Sequence, residues 1–266
     1  MDNQSTKAMW RLGVVSFLNA RPLIAGLERD PRFELIFDVP ARLPARLEAG
    51  EFDAALVPVI DLVAEGRDWQ IISDACIGCD GETLTVRVFS QIPPQEICTL
   101  HVDGDSHTSV ALARILWKEL YARDLEVVPY LGTETAAECE AVLLIGDKVV
   151  GNSLIEYETE TDLGSAWKSL TSLPFVFAAW AGPRGSDVSE LAVHLSNARD
   201  QGVASAAMIA EDVAPGLGWP VTLAKRYLAT RLKFDLGERQ RAGMARFLEL
   251  AKRENLVPTN RELVFA

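Results

Sequence analysis

The fold of this chain is decided by the stretch Gly13-Val14-Val15-Ser16-Phe17-Leu18-Asn19-Ala20-Arg21-Pro22-Leu23. It opens with a short apolar run of the kind that forms a buried strand. Asn19 stands where this strand should stop. Pro22 stands where a helix should start, because the first helical position needs no N–H donor. Ligands of open α/β sheets bind at the carboxyl ends of strands, beside such helix starts, so we expect the turn with Asn19 and Arg21 to form the floor of a binding site.

Length and composition limit what the chain can be. Its 266 residues, 48% of them hydrophobic, are enough for one large or two modest domains with packed cores. The net charge of −12 excludes nucleic acid and anionic membranes as main partners, and an anionic ligand would need local donors. No segment approaches the roughly 20 apolar residues of a membrane span. The polar N-terminus, and four cysteines that fit reduced thiols better than a disulfide framework, predict a cytoplasmic location.

Apolar strands alternate with helical segments along the chain, which predicts βαβ units. The chain is interrupted at Pro93-Pro94 and again at Gly182-Pro183, and its C-terminal part is almost purely helical. We therefore predict an α/β fold of two lobes that are joined by two crossovers, with each lobe a mixed, mostly parallel sheet flanked by helices. Residues 1–93 and 183–266 would form the first lobe, including the C-terminal helices, and residues 94–182 would form the second.

Neutral hydrogen-bonding side chains stand at predicted strand ends and at one predicted helix N-terminus. They are Asn19, Thr85, Ser106, Thr108 and Ser109. The cluster at residues 106–109 could bind a carboxylate on the free backbone N–H groups of its helix. The alternative is that these residues only cap that helix, and that Asn19 is a turn residue that tolerates an unusual backbone angle.

Three further patterns are candidate sites. Cys76-Ile77-Gly78-Cys79 has the spacing of a zinc or redox pair, but it lacks a second pair or a nearby His, so we predict no metal site. Among the histidines, only His107 lies in a candidate site segment, where a general base is one interpretation. Arg21 remains a site candidate, whereas Arg42 and Arg46 are expected on the solvated surface.

Eight sequence blocks, in order, resemble the chorismate dehydratases of the futalosine pathway of menaquinone biosynthesis. The resemblance runs from about residue 12 to residue 256, and it begins with residues 15–23. The later blocks are residues 40–43, 50–59, 77–86, 106–109, 145–147, 162–164 with Trp167, and 173–180. The Pro-Asn-Asp-Thr-Phe type of motif, with which the sister family of dihydroxynaphthoate synthases begins, is absent. Thr85 stands where the family usually has Ser, and Cys79 replaces a small or hydroxylic residue.

The resemblance implies a fold like the type-2 periplasmic binding proteins, with two hinge strands and a cleft between two α/β lobes. It also implies a carbon–oxygen lyase that removes water from chorismate to give 3-[(1-carboxyvinyl)oxy]benzoate, without cofactor or metal. The catalytic residues would be Asn19 and Thr85. Substrate-binding residues would be Ser16, Arg21, Pro58, Ser106, His107, Thr108, Ser109, Gly146 and Asp147.

No protein base stands out in the sequence, so we hypothesise that the enolpyruvyl carboxylate of the substrate takes the proton. Asn19 and Thr85 would hold that carboxylate and the hydroxyl, and lobe closure would exclude water. Two alternatives remain open: a non-catalytic solute-binding protein of the same fold, and another lyase acting on a related shikimate-derived acid. The expected partner is the small-molecule substrate alone, and the oligomeric state stays open between monomer and homodimer.

Overall fold

The computed structural model of the protein describes residues 9–132, 139–151 and 157–266. Its strands are β1 (Trp10–Val15), β2 (Phe33–Asp38), β3 (Ala54–Pro58), β4 (Trp69–Cys79), β5 (Val86–Ser90), β6 (Thr99–Val102), β7 (Glu126–Pro129), β8 (Ala141–Ile145), β9 (Thr159–Asp162), β10 (Phe175–Pro183) and β11 (Leu232–Asp235). Its α-helices are α1 (Leu43–Glu48), α2 (His107–Tyr121), α3 (Lys148–Gly151), α4 (Leu163–Thr171), α5 (Ser189–Ala204), α6 (Ala206–Val213), α7 (Val221–Arg226) and α8 (Glu238–Arg253). None of these helices is long and apolar enough to cross a membrane.

The strands form two mixed sheets. The first sheet has the order β11-β4-β10-β3-β1-β2, and the second has the order β7-β6-β8-β5-β9. In the first sheet β1 is parallel to β2 and β3, whereas β10 is antiparallel to β3 and β4 and β11 is antiparallel to β4. In the second, β6 is parallel to β7 and β8, and β5 is antiparallel to β8 and β9. The predicted α/β fold is confirmed, with a larger antiparallel share than expected because β5 and β10 run back beside their neighbours.

The chain passes between the two sheets twice. It leaves the first sheet at the end of β4 and enters the second at the start of β5, so this crossing lies in residues 80–85. It returns between α4 and β10, in residues 172–174. The predicted divisions after residues 93 and 182 do not coincide with these changes of sheet. At both proline breaks a strand ends, but the next strand of the chain belongs to the same sheet. The first crossing instead turns at Gly81, whose φ of +120° favours glycine.

The opening segment differs from its prediction at Pro22. Strand β1 ends at Val15, and a 3₁₀ helix spans Leu18–Ile24 with Pro22 inside it and not at its first position. Proline fits there because its ring fixes φ near the value of a 3₁₀ helix. Helix α5 packs directly on this turn, since a Cβ on Gly202 would lie 1.9 Å from the carbonyl oxygen of Pro22. Helix α5 also contacts β4, and α8 contacts β10, so these two helices pack against the first sheet.

A second difference lies in residues 222–235, within the C-terminal part that we predicted to be almost purely helical. The helix α7 ends at Arg226, a π-helical turn follows at Tyr227–Arg231, and β11 pairs with the edge of β4. In β11 the side chains of Leu232 and Phe234 are buried while their neighbours are exposed, which is the two-residue period of a strand. This arrangement brings Tyr227 to the space between the sheets.

Candidate functional site

A cavity lies between the two sheets, where strands of both sheets end. Val15 and Pro58 close β1 and β3 on one side, and Ile145 closes β8 on the other. This is the edge at which open α/β sheets bind ligands. The polar residues of the lining are Asn19, Thr83, Thr85, Ser106, Ser109 and Tyr227. The described lining residues include no Asp, Glu, Lys, Arg or His, so a ligand there meets neutral donors and acceptors only.

One end of the cavity is the N-terminus of α2. The hydroxyl of Ser106, the N-cap residue, accepts a hydrogen bond from the backbone N–H of Ser109 at 3.2 Å and donates to its hydroxyl at 2.9 Å. Both side chains also line the cavity, so capping the helix and facing the ligand are compatible. The first turn of α2 holds no acidic residue, and its helix dipole favours an anion at this end.

The other polar part of the lining is a cluster of Asn19, Thr85 and Tyr227. The Oγ1 of Thr85 lies 2.7 Å from the phenol oxygen of Tyr227, and both side chains are buried. Burial raises the pKa of Tyr227, and its hydrogen bond with Thr85 opposes that rise only in part. Tyr227 therefore keeps its proton at neutral pH. The amide oxygen of Asn19 is buried and has no hydrogen-bond partner among the described residues, so it is an acceptor that a ligand can satisfy.

Thr85 is positioned by the first crossing between the sheets. The carboxylate of Asp162 caps α4 at Ser165 and also accepts the backbone N–H groups of Thr83 and Leu84, at 3.0 and 2.8 Å. The approach is close, since a Cβ on Gly164 would lie 2.4 Å from the carbonyl oxygen of Gly81. The block at residues 162–164 therefore holds the segment that carries Thr85.

Asp147 connects the two sheets beside the cavity and does not line it. Its carboxylate accepts the backbone N–H of Leu18 at 3.2 Å and the indole N–H of Trp219 at 2.9 Å. Burial raises the pKa of Asp147, and these two hydrogen bonds oppose the rise. Trp219 in turn stacks on Tyr227, with ring centroids 4.9 Å apart and planes 23° apart. Asp147 thereby joins the segment after β1, through Leu18, to the loop that carries Trp219 beside the cavity.

His107 faces away from the cavity. Its Nδ1 lies 2.9 Å from a carboxylate oxygen of Asp61, and the two residues line a separate cavity with Arg114 on the other side of Ser106. The hydrogen bond with Asp61 raises the pKa of His107, against burial and the charge of Arg67. The structure thus gives His107 a partner outside the main cavity, and this position does not favour the general-base interpretation.

Three other predicted binding residues also have partners elsewhere. Ser16 donates its backbone N–H to Asp38, and its side chain is not part of the lining. Arg21 pairs with Glu28 at 3.2 Å. Thr108 is fully buried, and its hydroxyl accepts the backbone N–H of Ile60 at 3.2 Å. The predicted residues that do meet at the cavity are Asn19, Pro58, Thr85, Ser106, Ser109 and Gly146.

Sequence reasoning missed Tyr227, Trp219 and Asp61. Tyr227 lies in a stretch with helical periodicity, and its place in the cavity depends on the π-helical turn and on β11 behind it. Asp61 is singled out only by its contact with His107 at the start of α2. No local pattern in the sequence distinguishes these three residues.

The cysteine pair at Cys76 and Cys79 lies on β4, inside the first sheet. Both thiols are fully buried, and that burial raises the pKa of each. Within the described ranges no three His, Cys, Asp or Glu side chains come together as a group that could hold a metal ion.

Gly146→Ala is expected to lower both stability and ligand binding. A Cβ at this position would lie 2.6 Å from the ring of Phe17, which also lines the cavity, and φ is +64°. The matched control is Gly66→Ala, which has φ of +79° and nothing within 4 Å of its Cβ. The control should lose only the stability that a left-handed backbone costs a residue other than glycine, roughly 1–2 kcal/mol. Gly146→Ala should lose more stability than this. Equal losses in thermal unfolding would contradict a close contact between Phe17 and Gly146.

The pair of His107 and Asp61 predicts a pH dependence of stability. Because the pKa of folded His107 is raised above 6.5, its contribution is fully present below that pH and is lost as the pH rises through the raised value. In His107→Gln, the deficit in melting temperature relative to the parent protein should therefore be largest at low pH and should shrink as the pH rises. Asp61→Asn should remove the same pH-dependent contribution to the melting temperature. A deficit that is independent of pH in both variants would contradict this origin.

Two mixed sheets, two crossings and a cavity at the strand ends between them define an α/β protein of the periplasmic-binding-protein type. Solved structures share this fold at low sequence identity. One is an Archaeoglobus fulgidus protein, 16% identical, with a TM-score of 0.71 over 96% of this chain and 100% of that one. Another is the alkanesulfonate-binding protein SsuA from Xanthomonas axonopodis pv. citri, bound to MOPS, 15% identical, with a TM-score of 0.67 over 96% of each chain.

The chain belongs to the family described as menaquinone biosynthesis, whose sequence model matches residues 10–253. It is also similar to a chorismate dehydratase from Thermus thermophilus. The two are 29% identical over 255 residues, which cover 90% of this chain and 93% of that protein. The family and the fold expected from the eight sequence blocks are thereby confirmed.

Proposed function

We propose that the protein is a chorismate dehydratase, a carbon–oxygen lyase that eliminates water from chorismate to give 3-[(1-carboxyvinyl)oxy]benzoate. The observation that carries this proposal is the buried, unpartnered amide oxygen of Asn19, which lines the same cavity as the hydroxyls of Thr85 and Tyr227. Membership of the menaquinone-biosynthesis family and similarity to the Thermus thermophilus chorismate dehydratase support the same reaction.

Chorismate matches the polarity of the two ends of the cavity. It carries two carboxylates, an enol ether and one hydroxyl, and at neutral pH that hydroxyl is its only hydrogen-bond donor. An unpartnered acceptor needs a donor, so the hydroxyl belongs at Asn19. A carboxylate belongs at the N-terminus of α2, beside Ser106 and Ser109, where the helix dipole favours negative charge.

The lining supports a reaction in which the substrate supplies its own base. Tyr227 is the one titratable side chain among the described lining residues, and its raised pKa keeps it protonated. The enolpyruvyl carboxylate then takes the proton from the ring carbon that bears the ether, while hydroxide leaves the neighbouring carbon. Aromatisation drives the elimination, and the protein orients the substrate and stabilises the departing oxygen.

The reaction needs neither a cofactor nor a metal in this proposal, and we place it in the cytoplasm, where chorismate is the only partner required. A solute-binding protein of the same fold would hold the ligand without turning it over. A lyase for a related shikimate-derived acid would leave chorismate unchanged.

The test is incubation of the purified protein with chorismate, with and without EDTA, followed by mass spectrometry. We expect formation of the dehydrated benzoate at the same rate in both samples. Binding of chorismate without turnover would support the solute-binding alternative and contradict the proposal. Loss of turnover with EDTA, restored by stoichiometric zinc, would contradict the metal-free reaction.

A further inference from the structure

We infer that Tyr227 is a positioning residue for this dehydration, and that it acts by directing the hydroxyl proton of Thr85 toward the leaving hydroxyl of the substrate. The inference rests on the proposed function and adds a residue that no sequence block contains. Tyr227, Thr85, the substrate hydroxyl and Asn19 would form one chain of hydrogen bonds, which we call the hydroxyl chain.

The direction of each bond in the hydroxyl chain follows from donor strength and from the one unpartnered acceptor. Tyr227 and Thr85 share one hydrogen bond, 2.7 Å long, which uses the proton of only one of them. A phenol is a stronger acid than an aliphatic alcohol, so Tyr227 is the preferred donor and Thr85 the acceptor. Thr85 then has its own proton left for the cavity. The unpartnered amide oxygen of Asn19 accepts the proton of the substrate hydroxyl, which completes the chain.

The ring of Tyr227 is held so that this direction is maintained. It is only 1% exposed, it stacks on Trp219, and the indole N–H of Trp219 donates to Asp147 from the second sheet. The π-helical turn that begins at Tyr227 is an uncommon local structure, and such turns occur frequently at functional sites. These contacts hold the phenol oxygen at Thr85.

The hydrogen bonds of the hydroxyl chain become stronger as the reaction proceeds. The electron pair of the ring C–H bond forms the new ring double bond, the C–O bond breaks, and its electron pair leaves on the hydroxyl oxygen. As negative charge grows there, the bond donated by Thr85 becomes stronger, and donation from Tyr227 polarises Thr85 further. The proton that the enolpyruvyl carboxylate took from the ring carbon ends on the departing oxygen. Water is released, and Thr85 and Tyr227 are unchanged.

The experiment is a double-mutant cycle of Tyr227→Phe and Thr85→Val with two readouts. The first is kcat and KM for chorismate, and the second is affinity for the dehydrated benzoate, which lacks the leaving hydroxyl. Tyr227→Phe keeps the stacked ring and is expected to lower kcat about 10- to 100-fold, with KM and product affinity changed less than about threefold. In the Thr85→Val background, Tyr227→Phe should lower kcat less than about threefold, because the residue through which Tyr227 acts is already absent.

Three outcomes would overturn the inference while the parent protein remains active: an unchanged kcat in Tyr227→Phe, equal fold-losses in both Thr85 backgrounds, or a parallel loss of product affinity, which indicates a structural role. If Tyr227→Phe does not fold, Thr85→Val decides by the same readouts. A loss of kcat with product affinity retained supports the inference, and a retained kcat overturns it. Absence of turnover in the parent protein contradicts the proposed function itself, so the two failures are distinct.

Discussion

Asn19→Ala is expected to lower kcat/KM for chorismate by about 2–4 kcal/mol of transition-state stabilisation, which is roughly 30- to 1000-fold. The change removes the acceptor for the substrate hydroxyl. Folding should change little, because the amide oxygen has no partner in the described residues of the folded protein. Chorismate consumption and a melting curve for each variant provide the measurement.

Two further variants sharpen this prediction. Asn19→Asp should be worse than Asn19→Ala, because it places a negative charge in a cavity that must hold two substrate carboxylates. Asn197→Ala, at an exposed position of α5, is the matched control and should leave both activity and stability unchanged. If activity and stability fall in parallel in Asn19→Ala, the residue is a structural turn and the site assignment is wrong.

Thr85→Val should lower kcat/KM by about 1.5–3 kcal/mol, because it removes the donor to the departing oxygen while keeping the shape of the side chain. It also leaves the buried hydroxyl of Tyr227 without its 2.7 Å partner, so a modest loss of stability should accompany the loss of rate. Thr85→Ser keeps the hydroxyl and should retain most of the activity. Steady-state kinetics on the three proteins decide the matter, and a fully active Thr85→Val enzyme would assign Thr85 to the core.

Local signals in the sequence were sufficient for the fold class and for part of the site. The apolar run before Ser16 identifies a strand, and the Ser-rich start of α2 identifies a helix N-terminus, from neighbouring residues alone. The exact strand end was misplaced, because β1 ends at Val15 and Asn19 lies in the 3₁₀ helix that follows. Because strand ends of both sheets meet at one cleft, residues predicted there come together without any knowledge of long-range contacts. The eight ordered blocks added the family, which no single element could provide.

Tertiary structure decided the features that depend on residues far apart in the chain. The change of sheet falls at residues 80–85 and not at Pro93, because strand pairing and not proline content determines which sheet a strand joins.

The partners of Asp147 and His107 are likewise set by tertiary contacts. Asp147 meets Leu18 from 129 positions away, and His107 is directed to Asp61 by the packing of α2.

Tyr227 reaches the cavity because β11 completes the edge of β4 and the turn before it becomes π-helical. Its hydroxyl meets Thr85 across 142 residues, and such a contact has no periodicity or spacing by which the sequence could announce it.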